Sequence, residues 1–77
     1  MASLESTFLF IARELVKREF DTDKLSHVLG HVLINSTPKE RSKLRKAWYD
    51  EHPDGSGMDI IFDAVTEHLG EDAYEDD

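Results

Sequence analysis

The sequence has no cysteine, so no disulfide can staple it and no thiolate can hold zinc. That absence fits a reducing compartment, and a cytoplasmic location is the expectation. Proline occurs twice, at Pro38 and Pro53, and both fall where one helix hands over to the next. No stretch alternates like a strand. The longest apolar run, Phe8–Ala12, is far too short to span a bilayer. It follows Glu5 with no basic segment before it, so it does not read as a signal peptide. There is no internal repeat, no glycine-rich phosphate loop and no nucleophile–base pair, so no enzyme and no cofactor are expected. Seventy-seven residues make one domain, which buries only about 60–65% of its unfolded surface. Stability must come from helix packing or from oligomerisation.

Lysine and arginine are also absent beyond Lys46. Residues 1–49 hold all nine bases against six acids, a balance of +3, whereas residues 50–77 hold eleven acids and no base, a balance of −11. Five of the bases lie within Lys39–Lys46. Such a split means either an internal electrostatic clasp or a surface that meets a basic partner. A net charge of −8 argues against binding nucleic acid or an anionic membrane with the whole surface.

Apolar periodicity predicts an all-α, compact four-helix bundle in which each helix packs on the next. The first helix spans Ser3 to about Glu19, capped by Ser3, with Leu4, Phe8, Ile11, Ala12 and Leu15 on one face and Phe10 pointing away. The second, capped by Asp21 or Thr22, reaches about Ile34. Its stripe is Leu25, Val28, Leu29 and Val32, with Leu33 at the edge, and Gly30 suggests a close helix approach. Thr37-Pro38-Lys39-Glu40 combines a capping box with proline at the first helical position, so the third helix runs from Pro38 to about Asp50 and packs through Trp48. His52–Gly57 is a turn, and Ser56 with Asp59 resembles a second capping box. The fourth helix carries Met58, Ile61, Phe62, Val65 and Leu69 inward and stops at Gly70. Residues 1–70 form the domain, and 71–77 read as a disordered acidic tail that, if it docks, docks on the Lys39–Lys46 stripe.

Several groupings bear on chemistry. His27 and His31 share a helix face with Ile34, but two histidines fall short of the three or four ligands of a stable zinc site. No metal is expected, and the face is read as solvated or as an interface. Asp50, His52, Asp54 and Gly55 match positions one, three, five and six of a calcium loop, yet position twelve is Ile61 rather than glutamate, so the segment reads as a turn. Lys39, Lys43 and Lys46 make a basic stripe, with Arg41 and Arg45 on its flank. It lacks a helix-turn-helix pattern and lies beside the acidic half, so no useful DNA affinity is expected. Asp59, Asp63 and Glu67 form a ridge on the fourth helix beside Ile60, its members about 6 Å apart along the axis. That spacing is comparable to phosphates along one strand. Like charges at i, i+4 cost some stability, which a basic partner would offset.

The run Glu51-His52-Pro53-Asp54-Gly55-Ser56, followed after Gly57-Met58 by Asp59-Ile60-Ile61-Phe62, resembles a stretch of the DNase-type colicin and pyocin immunity proteins. Those are small acidic four-helix proteins that block a nuclease without touching its catalytic centre. The resemblance implies contacts through Glu51, Asp54 and Asp59, with Phe62 as the remaining aromatic. The family's tyrosine pair and its proline are missing here, and the run follows a third helix rather than a second. The expected function is an acidic, non-enzymatic module that inhibits or regulates a basic protein, for which a nuclease or nucleic-acid-binding enzyme is the natural target. The binding residues are Glu51, Asp54, Asp59, Ile60, Asp63 and Glu67. The alternatives are an oligomerising assembly protein using Phe10, His27, His31 and Ile34, and a nucleic-acid binder using Lys39, Lys43 and Lys46.

Overall fold

Four local signals divide the chain into helices. The computed structural model describes residues 3–21 and 23–74: α1 (Leu4–Lys17), α2 (Asp23–Asn35), α3 (Pro38–Glu51), α4 (Asp59–Leu69) and a 3-10 turn at Glu71–Ala73. No strand occurs among the described residues. A radius of gyration of 11.6 Å matches the roughly 11.5 Å of a compact chain this long. No helix among the described residues is long and apolar enough to cross a membrane.

Ser3 caps α1, its hydroxyl accepting from the Ser6 amide at 3.1 Å. The helix ends two residues before the expected Glu19 because Glu19 and Phe20 turn left-handed, with φ of 55° and 61°. The Phe20 amide donates to the Leu15 carbonyl and the Glu19 amide to Val16, the paired bonds that close a helix C-terminus when a left-handed residue follows it. Whichever residue caps α2, the candidate Thr22 lies outside the described residues. In α3 the Thr37 hydroxyl accepts from the Glu40 amide, and the Glu40 carboxylate accepts from the Thr37 amide, both at 3.1 Å. These bonds from Thr37 hold the Glu40 carboxyl below its ordinary range.

The second capping box does not form. Gly55, Ser56 and Gly57 all have positive φ, so Ser56 cannot sit in extended capping geometry. Its amide donates instead to Asp54 Oδ1 at 3.2 Å, and α4 starts at Asp59 behind an uncapped Met58. The Phe20 ring fills the space above Gly57: a Cβ there would lie 2.9 Å from Phe20 Cε2. Left-handed backbone and ring together predict that Gly57→Ala lowers stability by about 2 kcal/mol. A urea midpoint unchanged by this substitution would refute the contact.

The core gathers Phe8, Ala12 and Leu15 of α1, Leu29 and Leu33 of α2, Leu44 and Trp48 of α3, and Met58, Phe62 and Val65. Full burial of each large member contributes about 1.5–3 kcal/mol. Packing departs from the expected order. α1 lies against both α2 and α3, and α2 against α4, while α3 reaches α4 through the Tyr49 and Phe62 rings, 5.8 Å apart. α2 is rotated from its expected stripe: Leu33 is fully buried and Val28 is 42% exposed. Leu4 and Leu69 likewise stay at the surface. Gly30 makes no close approach, since nothing lies within 4 Å of where its Cβ would be.

Arg41 corrects the reading of the basic stripe. It is buried, 5% exposed, and its guanidinium donates to the carbonyls of Leu33, Ile34 and Ser36. Those carbonyls end α2, which has no basic residue in its own last turn. Arg41 therefore supplies both the missing donors and the positive charge that a helix C-terminus favours. It also donates to Ala73, and this moves the end of the folded domain beyond Gly70. Ala73 is buried, Tyr74 packs on the core with its hydroxyl 3.3 Å from the Phe62 carbonyl, and Arg45 lies 4.1 Å over the Tyr74 ring. The expected tail thus begins folded at residues 71–74; residues 75–77 lie outside the described residues.

Candidate functional site

α4 brings four of the six expected partner-binding residues onto one outward face. Asp59, Asp63 and Glu67 are exposed, and Ile60 beside them is 69% exposed. Asp59 also sits in the first turn of α4, where its charge favours the uncapped N-terminus. Behind the ridge is Tyr49, whose hydroxyl is pushed up chiefly by burial and then by the charges of Asp59 and Asp63. Tyr74 is pushed up by burial, against a downward pull from Arg45 and Arg41. A group whose value is raised on folding contributes stability that is complete below its unfolded value and lost as pH rises through the folded one. The melting temperature should therefore fall as pH climbs beyond about 10, and less steeply in Tyr74→Phe. Absorbance titration placing both phenols at their ordinary value would contradict this.

Glu51 and Asp54 stand apart from the ridge. Glu51 takes a forked pair of bonds from Arg13, Nε at 2.6 Å and the terminal nitrogen at 2.9 Å. The Arg13 bond holds the carboxyl below its usual range and pushes the guanidinium up. Asp54 organises the turn at Ser56. Phe62 is in the core and cannot serve as the aromatic contact that the immunity-protein resemblance implies.

The internal clasp is confined to a single ion pair among the described residues, Arg13–Glu51. Arg41 and Arg45 turn toward the 70–74 segment, and Lys39, Lys43 and Lys46 remain exposed on α3. No described base pairs with Asp59, Asp63 or Glu67.

Next to the ridge, α2 and α4 leave an open apolar groove of about 530 Å³ between them. His27, Gly30 and Ile34 line it from α2, and Ile60, Ala64 and His68 from α4. Ile61 and Val65 also line it, and Phe20 contributes from the α1–α2 corner. The groove exists because Gly30 and Ala64 carry almost no side chain on opposite walls. Periodicity assigns residues to faces and cannot show a gap between them; the one legible signal was the small residue at each position.

Of the four alternative interface residues, only two come together. His27 and Ile34 line the groove. His31 lines a second, smaller depression with Leu4, Val28, Val32 and Asn35. Phe10 is 62% exposed on the outer side of α1 and borders neither. No three of the described His, Asp and Glu side chains gather to hold a metal ion. Compared with models of protein families, with curated proteins and with solved structures, the chain matches none.

Proposed function

We propose that this chain is a non-enzymatic acidic binding module that docks its α4 face on a basic protein and thereby inhibits or regulates it. The observation that carries the reading is the unneutralised ridge. Nine bases are present, yet among the described residues none pairs with Asp59, Asp63 or Glu67. Three carboxylates on successive turns repel one another mildly, and a basic surface removes that cost. Ile60 supplies an exposed apolar anchor beside the charged ridge. A nuclease or another nucleic-acid-binding enzyme is the natural target, because its substrate surface already accepts charges spaced like a phosphate backbone. The immunity-protein resemblance points the same way. Under this reading Glu51 ties the end of α3 to α1 through Arg13, and Asp54 sets the α3–α4 turn.

The test starts with a pull-down from lysate at low and high salt, followed by affinity measurement on the basic protein retained only at low salt. Combining Asp59→Asn, Asp63→Asn and Glu67→Gln should weaken binding about tenfold or more. The melting temperature should change little, because relief of like-charge repulsion offsets the loss of the Asp59 charge at the α4 N-terminus. Neutralising Glu75, Asp76 and Asp77 instead should have little effect. Equal losses from both sets would mean that net charge alone matters, and the ridge reading would fall.

A further inference from the structure

We infer that the groove between α2 and α4 seats one amphipathic helix of a partner protein, its apolar face in the groove and its basic flank on the Asp59–Asp63–Glu67 ridge; this deepens the binding role just proposed and rests on it. The dimensions fit a helix. Ile60, Ala64 and His68 mark one wall at i, i+4 and i+8, and His27, Gly30 and Ile34 mark the other at i, i+3 and i+7. The walls are therefore about 10–12 Å long, two helical turns, which matches the span of apolar anchors at i, i+3, i+4 and i+7. Gly30 and Ala64 let a third helix approach closely at mid-groove.

The ridge selects the charge of that helix. Asp59, Asp63 and Glu67 form the neighbouring row of α4, on its side toward Tyr49, and none of them lines the groove. A ligand contained within the groove would not reach them. A helix about 10 Å in diameter overhangs the rim, so that lysine side chains on its α4-side flank reach across Ile60 toward the ridge. The groove thus supplies apolar burial and the ridge supplies charge complementarity, and both favour a lysine- or arginine-flanked helix.

Three synthetic peptides of about 14 residues test this. The first carries leucine at i, i+3, i+4 and i+7 with lysine along one flank. The second has the same composition scrambled, and the third replaces each lysine by glutamate. Titration calorimetry and amide shift mapping should show the first binding about tenfold tighter than the scrambled peptide, with the largest shifts at Gly30, Ile60 and Ala64. Gly30→Leu fills the groove without changing charge, and the open space around Gly30 keeps the variant folded. It should abolish that advantage and leave the scrambled peptide unaffected. Ile60→Ser is the second variant and should act in the same direction. If the amphipathic and scrambled lysine peptides bind alike, or Gly30→Leu changes nothing, the groove inference is overturned. The ridge reading survives that result as long as lysine peptides outbind the glutamate peptide. If the glutamate peptide binds as well as the first, both the basic occupant and the ridge reading are overturned. If the chain alone sediments as a dimer that Gly30→Leu dissociates, the occupant is a second copy and the inference is likewise overturned.

Discussion

Arg41→Met will lower stability by about 3 kcal/mol and release residues 71–74 from the bundle. The side chain bonds four backbone carbonyls at once, three at the end of α2 and one at Ala73. Methionine keeps much of the buried stem but offers no donor. A charged donor to a carbonyl is worth about 1.5–3 kcal/mol. The losses are not additive, because water reaches some of the freed carbonyls once the 71–74 segment lifts. A domain of this size has about 4–12 kcal/mol in all, so the melting temperature should fall by roughly 15–20 °C. Arg41→Lys retains the charge on a single nitrogen that cannot fork across α2 and the 70–74 segment, and should recover less than half the loss. The comparison variant is Arg45→Ala, which removes one partly exposed cation over the Tyr74 ring and should cost under about 1 kcal/mol. If Arg41→Met costs no more than Arg45→Ala, the guanidinium does not hold the corner. Hydrogen exchange provides a second check: the Ala73 amide, bonded to the Gly70 carbonyl, should lose protection in Arg41→Met before the core amides do.

Arg41 also shows where reading the sequence stops. Its neighbours in sequence are basic and polar, so the local pattern assigns it to a solvated stripe. Its actual partners are carbonyls, which every residue carries and no pattern reveals. The 71–74 segment was illegible for the same reason, since one alanine and one tyrosine make no periodicity. What was legible rested on local chemistry. Thr37, Pro38 and Glu40 can form their cap without help from the rest of the chain, and α3 begins where they place it. On α4, Phe62 and Val65 are apolar while Asp59, Asp63 and Glu67 are charged, so only one rotation of the helix satisfies both, and the ridge was visible. α2 carries Leu25, Val28, Leu29, Val32, Leu33 and Ile34 around much of its circumference. Several rotations bury similar area there, and contact with α1 and α4 decides between them. The groove follows from that rotation: turning Leu33 inward brings Gly30, His27 and Ile34 to the α4 side.

Trp48→Ala should be the most damaging single substitution, at about 4 kcal/mol, a third or more of the total stability. Trp48 is fully buried and is the largest side chain of the core. Its ring stacks on His52 with centroids 4.0 Å apart, and its indole N–H donates to the Gly55 carbonyl at 2.9 Å. That bond ties α3 to the turn in which α4 begins. Gly55 is itself buried, and its left-handed backbone lies against Tyr49, so the carbonyl has no easy route to solvent. Trp48→Phe separates the two contributions. It keeps an aromatic ring in the core but leaves the Gly55 carbonyl with the Met58 amide as its remaining donor, and should cost about 1 kcal/mol. The two variants should also differ in function. Trp48→Phe remains folded, but the turn at Gly55–Met58 loosens, and α4 carries the ridge and one wall of the groove. Affinity for the lysine-flanked peptide should then fall severalfold in a protein whose helical circular dichroism is unchanged. If Trp48→Phe binds that peptide like the parent chain, the placement of α4 depends on the core contacts of Phe62 and Val65 alone, and the Gly55 bond contributes to stability without positioning the site.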